Sequence, residues 1–126
     1  MNISEVSQKY NVSKDTLRYY EKIGLLKPIA KNKSGMRDYT EKDCIRLEEV
    51  LFYRSADVSI EKLKMYIDLF EKGDSTLEQR RTILANHIIH LEEEQKRIGK
   101  SIEIIKGKIK HYDKLIEDYN KKKSKK

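Results

Sequence analysis

The stretch of residues 84–119 reads LANHIIHLEEEQKRIGKSIEIIKGKIKHYDKLIEDY and contains a long apolar repeat. Within it, positions separated alternately by four and three residues form one series, and ten of its eleven members are apolar. The series is Leu84, Ile88, Leu91, Gln95, Ile98, Ile102, Ile105, Ile109, Tyr112, Ile116 and Tyr119. A period of 3.5 residues that is kept over five heptads is typical of a coiled-coil seam rather than of one face of a globular helix.

This seam predicts that the chain forms a homodimer. A helix of about 45 residues extends about 70 Å, and the preceding residues 1–72 are too few to cover such a stripe. A second copy of the same helix is the simplest partner. The alternative is a helix that folds back on its own domain. We expect the positions from Leu84 to Ile116 to mediate dimerisation, with the polar residue Gln95 setting the register.

The composition agrees with a small domain joined to an elongated helix. The chain has 126 residues, of which 39% are charged. When Gly is counted and Tyr is left out, about 35% is apolar, against roughly 45–50% for an ordinary domain. The longest apolar runs are too short to span a membrane, and the N-terminus lacks the pattern of a signal peptide. With Cys44 alone, no intrachain disulfide or thiolate metal cluster is expected. These features predict a cytoplasmic protein without a cofactor, metal or membrane partner.

The positive charge is concentrated at the two ends of the chain. The formal net charge is +7, and residues 1–40 hold eight basic residues against four acidic ones. Residues 121–126 add five lysines. An excess of this kind indicates a polyanionic partner. We interpret residues 120–126 as a solvated, disordered tail, and the alternative is that the tail also touches DNA phosphates.

Capping residues predict four short helices before the long one. Their expected ranges are 3–9, 14–22, 41–55 and 60–71, with N-caps at Asn2, Ser13, Thr40 and Ser59. Glu5 and Asp43 extend two of these caps into capping boxes, and Gly24 and Gly73 end the second and fourth helices. Asn11 suits a left-handed turn. Residues 25–40 predict a hairpin or loop. Ser75 with Glu78 predicts a capping box for the last helix. The predicted chain therefore has three regions: a DNA-binding domain with a helix pair (1–72), a dimerisation helix (73–119) and a basic tail (120–126).

The second short helix carries the features of a DNA-recognition helix. Lys14, Arg18 and Lys22 recur at intervals of four and therefore share one helical face. Thr16, Tyr19 and Tyr20 lie around the same outward region, while Leu17 faces the core. Arg can bind guanine edges, and Lys, Thr and Tyr can bind phosphates or bases. A helix, a short turn and a second helix form the helix-turn-helix arrangement. The alternative is a solvated face with two surface tyrosines.

Several motifs resemble those of MerR-family transcriptional regulators. They are Ile3-Ser4-Glu5-Val6, Thr16-Leu17-Arg18-Tyr19-Tyr20-Glu21-Lys22 with Gly24-Leu25-Leu26, and Gly35-Met36-Arg37-Asp38-Tyr39-Thr40. The resemblance covers the whole chain. The C-terminal part of the chain is similar to the short subgroup of the family that responds to aldehyde and thiol stress. It implies a mostly α fold with a winged helix-turn-helix domain, a helix pair and one long helix that dimerises as an antiparallel coiled coil.

The same resemblance implies a function. Family members bind double-stranded promoter DNA as homodimers and distort an overlong spacer so that RNA polymerase can engage the promoter. It extends the expected DNA-binding residues to Lys33, Arg37 and Tyr39 in the wing. Met36 stands where the family has an aromatic residue, and we expect its apolar packing to survive. Asp57 stands where a glycine often precedes the fourth helix, so that turn is expected to differ.

The effector is not indicated by the sequence. His87 and His90 are three residues apart, and we interpret them as polar flanks of the coil rather than as metal ligands. In the similar subgroup a cysteine of the third helix is reactive, but Phe52 stands at that place here. Cys44 lies on another face, and we expect a packing role for it, with electrophile sensing as the alternative.

Two other classes of protein remain as alternatives. One is a DNA-binding architectural or excisionase-like protein without effector sensing, although such proteins usually lack a long coil. The other is an enzyme or a scaffold. The sequence has no Gly-rich phosphate loop, nucleophile motif or paired acid and base in a plausible cleft, so no catalytic activity is expected.

Overall fold

The computed structural model describes residues 1–125, which form helices and loops with one isolated β-bridge and no strand. The elements are α1 (Ile3–Tyr10), α2 (Lys14–Ile23), α3 (Glu41–Ser55), α4 (Ile60–Glu71), a 3-10 turn (Asp74–Thr76) and α5 (Leu77–Ser124). The mostly α fold is therefore confirmed. The chain divides into two compact units, Met1–Ile83 and Leu84–Lys126. None of the described helices is long and apolar enough to cross a membrane.

Local capping explains where α1 to α4 begin. The Asn2 side chain accepts from the Glu5 amide, and the Glu5 side chain accepts from the Asn2 amide, both at 2.9 Å. Thr40 and Asp43 form the same reciprocal pair at the start of α3. Ser13 and Ser59 accept from the amides of Thr16 and Lys62. All four predicted N-caps are confirmed, because these side chains satisfy backbone donors that a helix leaves open.

The turn between α1 and α2 has the geometry of a helix-turn-helix. Asn11 ends α1 with a φ of 52°, a left-handed conformation that Asn tolerates better than most residues. Gly24 ends α2 with a φ of 85°, and its amide bonds back to the carbonyl oxygens of Tyr20 and Glu21. The predicted left-handed turn at Asn11 and the predicted helix end at Gly24 are both confirmed.

One apolar core holds the first unit together. The side chains of Leu17, Leu25, Leu47 and Val50 are fully buried, and Leu63 of α4 is 1% exposed. They come from α2, α3, α4 and the segment that follows α2. Burial of a side chain of this size contributes about 1.5–3 kcal/mol, so this core fixes α2 against α3 and α4.

The start of α5 differs from the prediction. Ser75 lies inside the 3-10 turn rather than forming a cap with Glu78, so the predicted capping box is wrong. The polar residue at this place is Thr76, which is 5% exposed. Its hydroxyl donates to the carbonyl oxygens of Leu69 at 2.7 Å and Gly73 at 2.8 Å, and it accepts from Arg80 Nε at 3.1 Å. These bonds tie the beginning of α5 to the end of α4.

The end of α5 corrects a second expectation. The helix continues to Ser124, so residues 120–124 are helical rather than disordered, while Lys126 lies outside the described residues. No Pro or Gly follows Gly107 in the sequence. Lysine is a good helix former, and Lys121, Lys122 and Lys123 in the last turn also oppose the negative end of the helix dipole.

Candidate nucleic-acid interface

The outward face of α2 is basic. Lys14, Arg18 and Lys22 are all exposed, as their spacing predicted. Arg18 Nη1 lies 3.2 Å from Asp15 Oδ1, but Arg18 and Asp15 retain 47% and 95% of their side-chain exposure. An ion pair this exposed to solvent is weak, so the Arg18 guanidinium can exchange Asp15 for another acceptor. Tyr19 is 47% exposed on the same helix.

Thr16 has a structural role at the beginning of this face. It is half-buried, and its hydroxyl accepts a bond of 2.8 Å from the hydroxyl of Ser13. Its amide donates to the same Ser13 oxygen at 3.0 Å. Thr16 is therefore part of the N-cap of α2, which orients the first turn of the helix.

Two tyrosines of the predicted DNA-binding set lie in the core instead. Tyr20 is 6% exposed and Tyr39 is 3% exposed. Tyr20 shares a helical face with Leu17, three residues earlier, and both pack inward. The buried environment raises the pKa of the Tyr39 phenol, and its hydroxyl has no hydrogen-bond partner among the described residues. Their burial contradicts the predicted surface role of these two side chains.

The expected wing is a tight hairpin with one antiparallel bridge, between Lys31 and Arg37. At its tip, the amide of Gly35 donates to the carbonyl of Asn32 at 3.0 Å, and Gly35 has a φ of 78°. Lys33 is exposed at this tip. Met36 is 56% exposed, so the expected apolar packing of Met36 is wrong, because the short turn directs it away from the core.

An acidic residue of α2 holds both sides of the wing. Glu21 Oε1 accepts from Arg37 Nε at 2.8 Å, and Glu21 Oε2 accepts from the Ile29 amide at 3.3 Å. The side chains of Arg37 and Glu21 are 30% and 19% exposed. Hydrogen bonding to Glu21 raises the pKa of the Arg37 guanidinium. We call Glu21, Ile29 and Arg37 the wing clamp.

The contacts of Glu21 were not predicted from the sequence. Arg37 is among the predicted DNA-binding residues of the wing, whereas Glu21 is named there only as part of a family motif. The available signal was an acidic residue in the last turn of a basic helix, where the helix dipole disfavours negative charge. Such a residue needs a cationic or N–H partner from elsewhere in the fold.

The seam positions of α5 are open to solvent in the single chain. Ile98, Ile102, Ile105 and Ile109 are 47–60% exposed, and Ile116 is 55% exposed. Leu84 and Leu91 are half-buried. A continuous apolar stripe of this length is rare on a surface that faces only water.

The candidate sensor residues are placed as follows. His87 is 6% exposed, which corrects its interpretation as a polar flank, and its ring lies 6.0 Å from that of His90. Within residues 1–125, no group of three or more His, Cys, Asp or Glu residues is placed to hold a metal ion. Phe52 is 66% exposed on α3.

Cys44 is buried on α3, with 8% exposure. It lines a pocket of about 530 Å³ together with Tyr10 and Glu48. The Tyr10 hydroxyl donates to Glu48 Oε1 at 2.8 Å. Burial raises the pKa of the Tyr10 phenol, and Glu48 and Cys44 raise it further. Met1 and Lys9 line the same pocket, so Cys44 shares it with a phenol, a carboxylate and a cationic side chain.

Comparisons with known proteins agree with this architecture. The regulator AdhR of Bacillus subtilis, an HTH-type transcriptional regulator, is 44% identical over 86 residues. That match covers 68% of this chain and 61% of AdhR, so it leaves more than a third of AdhR unmatched. A solved structure of a proposed MerR-family transcriptional regulator from Listeria monocytogenes is 36% identical, with a TM-score of 0.75 and coverage of 95% and 96% of the two chains.

A second solved structure shares the fold. HiNmlR, described as a MerR family regulator lacking the sensor domain and bound to promoter DNA, has a TM-score of 0.71 at 24% identity. The match covers 90% of each chain, and at this identity it establishes the fold alone. Residues 1–69 match the family described as MerR HTH family regulatory protein. The exposed basic helix, the wing and this match lead to one conclusion, that the chain belongs to the MerR family of helix-turn-helix regulatory proteins.

Proposed function

We propose that this protein is a homodimeric, sequence-specific transcription regulator that binds promoter DNA in the cytoplasm and has no catalytic activity. The observation that carries the proposal is the exposed basic face of α2 beside a wing that is fixed to the same helix. A recognition helix needs exposed side chains that reach base edges, and flanking contacts that fix its register on the backbone.

The DNA-contacting set is smaller than the sequence suggested. Lys14, Arg18, Tyr19 and Lys22 present exposed donors on α2, and Lys33 presents one at the wing tip. Arg37 contributes from the wing through the donors that Glu21 does not use, because a guanidinium carries five N–H groups. Thr16 acts through the helix cap, and Tyr20 and Tyr39 support the site from the core.

The exposed seam of α5 supports the homodimer. In a coiled coil, the apolar seam of one helix is buried against the seam of another helix. A second copy of α5 supplies a matching seam. An antiparallel pair puts one DNA-binding unit at each end of the coil. Two such units bind two half-sites of a pseudopalindromic promoter, and the link between them raises the effective concentration of the second contact.

The regulatory step that we propose is a distortion of the promoter. Bending or untwisting a short DNA site costs a few kcal/mol, which additional backbone contacts can offset. A spacer shortened in this way lets RNA polymerase engage both promoter elements. The polymerase is therefore an indirect partner that responds to the shape of the DNA.

The test is a promoter footprint combined with transcription by purified RNA polymerase. We expect protection of two half-sites, enhanced cleavage between them where the DNA is distorted, and a protein-dependent change in transcript level. Protection without any change in transcription indicates the architectural, excisionase-like alternative. Absence of sequence-specific protection contradicts the proposal.

A further inference from the structure

We propose that Glu21 is a positioning residue for DNA binding, which acts through the wing clamp and not through contact with DNA. This inference rests on the proposed function and names the residue that fixes the wing relative to the recognition helix. Its basis is that one carboxylate of α2 holds both sides of the wing hairpin.

The two acceptor bonds come from opposite sides of the wing tip. Ile29 precedes the tip and donates its amide to Glu21 Oε2, whereas Arg37 follows the tip and donates Nε to Oε1. A rotation of the hairpin relative to α2 breaks at least one of these bonds. The clamp therefore restrains the direction in which the wing leaves the domain.

Most other polar bonds of the wing lie within the hairpin itself, and Asp38 at its end also accepts from the Met1 amino group at 3.1 Å. The Asn32 amide donates to Met36 at 2.8 Å, and the Asp38 amide donates to Ala30 at 2.8 Å. The Asn32 side chain accepts from the amides of Ser34 and Met36. These bonds keep the shape of the tip, but they do not connect it to α2. Buried side chains such as Ile29, which is 5% exposed, anchor only the base.

The charge of Glu21 makes the inference testable, because a carboxylate near DNA phosphates can either weaken or strengthen DNA binding. As an isolated negative charge, it repels DNA, and its removal strengthens binding. As a clamp, it is neutralised by Arg37 and places Lys33 against the backbone, so its removal weakens binding. Its low exposure of 19% and the 2.8 Å bond favour the second effect.

The experiment is a double-mutant cycle between Glu21→Gln and Lys33→Ala, measured as operator affinity on the full chain. Glutamine keeps the size of the side chain but loses the charge. We expect Lys33→Ala to weaken binding about tenfold in the wild type and less than about twofold beside Glu21→Gln, because a misplaced wing loses its contact. The slope of affinity against salt should fall in Glu21→Gln as it does in Lys33→Ala.

Lys14→Ala is the matched control. Lys14 lies in the first turn of α2, at the end opposite Glu21, so its effect should be the same with and without Glu21→Gln. Arg37→Lys is the second variant, since it keeps the positive charge and removes the Nε donor. It should reduce the effect of Lys33→Ala in the same way, which keeps the test valid if Glu21→Gln folds poorly.

The outcomes separate this inference from the proposed function. Tighter operator binding by Glu21→Gln, or an equal effect of Lys33→Ala in both backgrounds, overturns the positioning role while specific binding by the wild type stands. A wild type that binds no operator specifically overturns the proposed function, and the positioning role with it. Urea unfolding gives the free energy of unfolding of each variant. If the loss of operator affinity strictly follows the loss of stability, the positioning role is also overturned.

Discussion

The ammonium group of Lys64 on α4 lies against Gly24, the residue that ends α2. A Cβ atom on Gly24 would stand 2.9 Å from Lys64 Nζ and 3.1 Å from Lys64 Cε. Lys64 Nζ also contacts Asp68 Oδ1 at 2.6 Å. The ammonium group of α4 therefore packs against the C-terminal end of α2, the candidate recognition helix.

Gly24→Ala should lower the free energy of unfolding by about 1–2 kcal/mol, because Gly24 has a φ of 85° and a side chain is strained there. The close contact adds little, since Lys64 can move its flexible end. Urea denaturation of Gly24→Ala should therefore give the same loss in a Lys64→Ala background. A full recovery of stability in the double variant would show that the contact, and not the backbone, sets the cost.

Arg18→Ala should weaken specific operator binding by at least about 1–3 kcal/mol, as for an arginine that binds a base edge or a central phosphate. Its pairing with the exposed Asp15 is too weak to compete. Affinity measured by fluorescence anisotropy at fixed salt checks this value. Arg81→Ala is the charge-matched control on α5, where Arg81 is exposed. Unchanged affinity of Arg18→Ala would remove Arg18 from the interface.

Ile105→Glu should convert the proposed dimer to a monomer, whereas Ile104→Glu should leave it intact. The two residues are neighbours with 60% and 71% exposure, but only Ile105 belongs to the 4,3 seam. A glutamate in the seam places an unpaired charge in an apolar contact, which is strongly unfavourable. Sedimentation velocity distinguishes the two states. Equal behaviour of both variants would contradict the assignment of the seam.

Much of this fold is encoded locally, and those parts follow from the sequence. The caps at Asn2 and Thr40 depend on residues three positions away, and the seam depends on a repeat within one helix. The burial of Tyr20 also had a local signal, its spacing of three from Leu17. The position of Glu21 in the last turn of α2 indicates only that it needs a partner; that the partner is Arg37 depends on how the wing folds back over α2.

Asp57 shows how a departure from a family pattern is accommodated. It keeps the left-handed conformation, with a φ of 65°, and its amide donates to the Arg54 carbonyl at 3.1 Å. The turn expected to differ therefore retains a backbone suited to glycine. Asp57→Ala should lower the free energy of unfolding by about 1 kcal/mol, because alanine tolerates this region less well than aspartate does.

Asp57→Gly is the matched variant for that measurement. Glycine relieves the strain but gains freedom in the unfolded chain, so its stability should stay close to that of the wild type. Urea unfolding midpoints compare the three proteins. Alanine as stable as glycine at this position would contradict a cost from the left-handed backbone.

Cys44 should react slowly with electrophiles in the folded protein, because it is only 8% exposed. Alkylation by iodoacetamide, followed by mass spectrometry, should accelerate strongly in urea. Promoter transcription should respond equally to an electrophile in the wild type and in Cys44→Ala. A response that disappears in Cys44→Ala would make Cys44 the sensor.

The four side-chain caps of the first unit also bear on how it folds. Each cap joins residues three positions apart, so each helix can form its first turn before distant contacts form. The caps are Asn2 to Glu5, Ser13 to Thr16, Thr40 to Asp43 and Ser59 to Lys62. Loop closure costs more entropy for distant pairs such as Tyr10 with Glu48. Assembly from elements that are already started is typical of fast-folding helical domains, so a newly made chain exposes this apolar core only briefly.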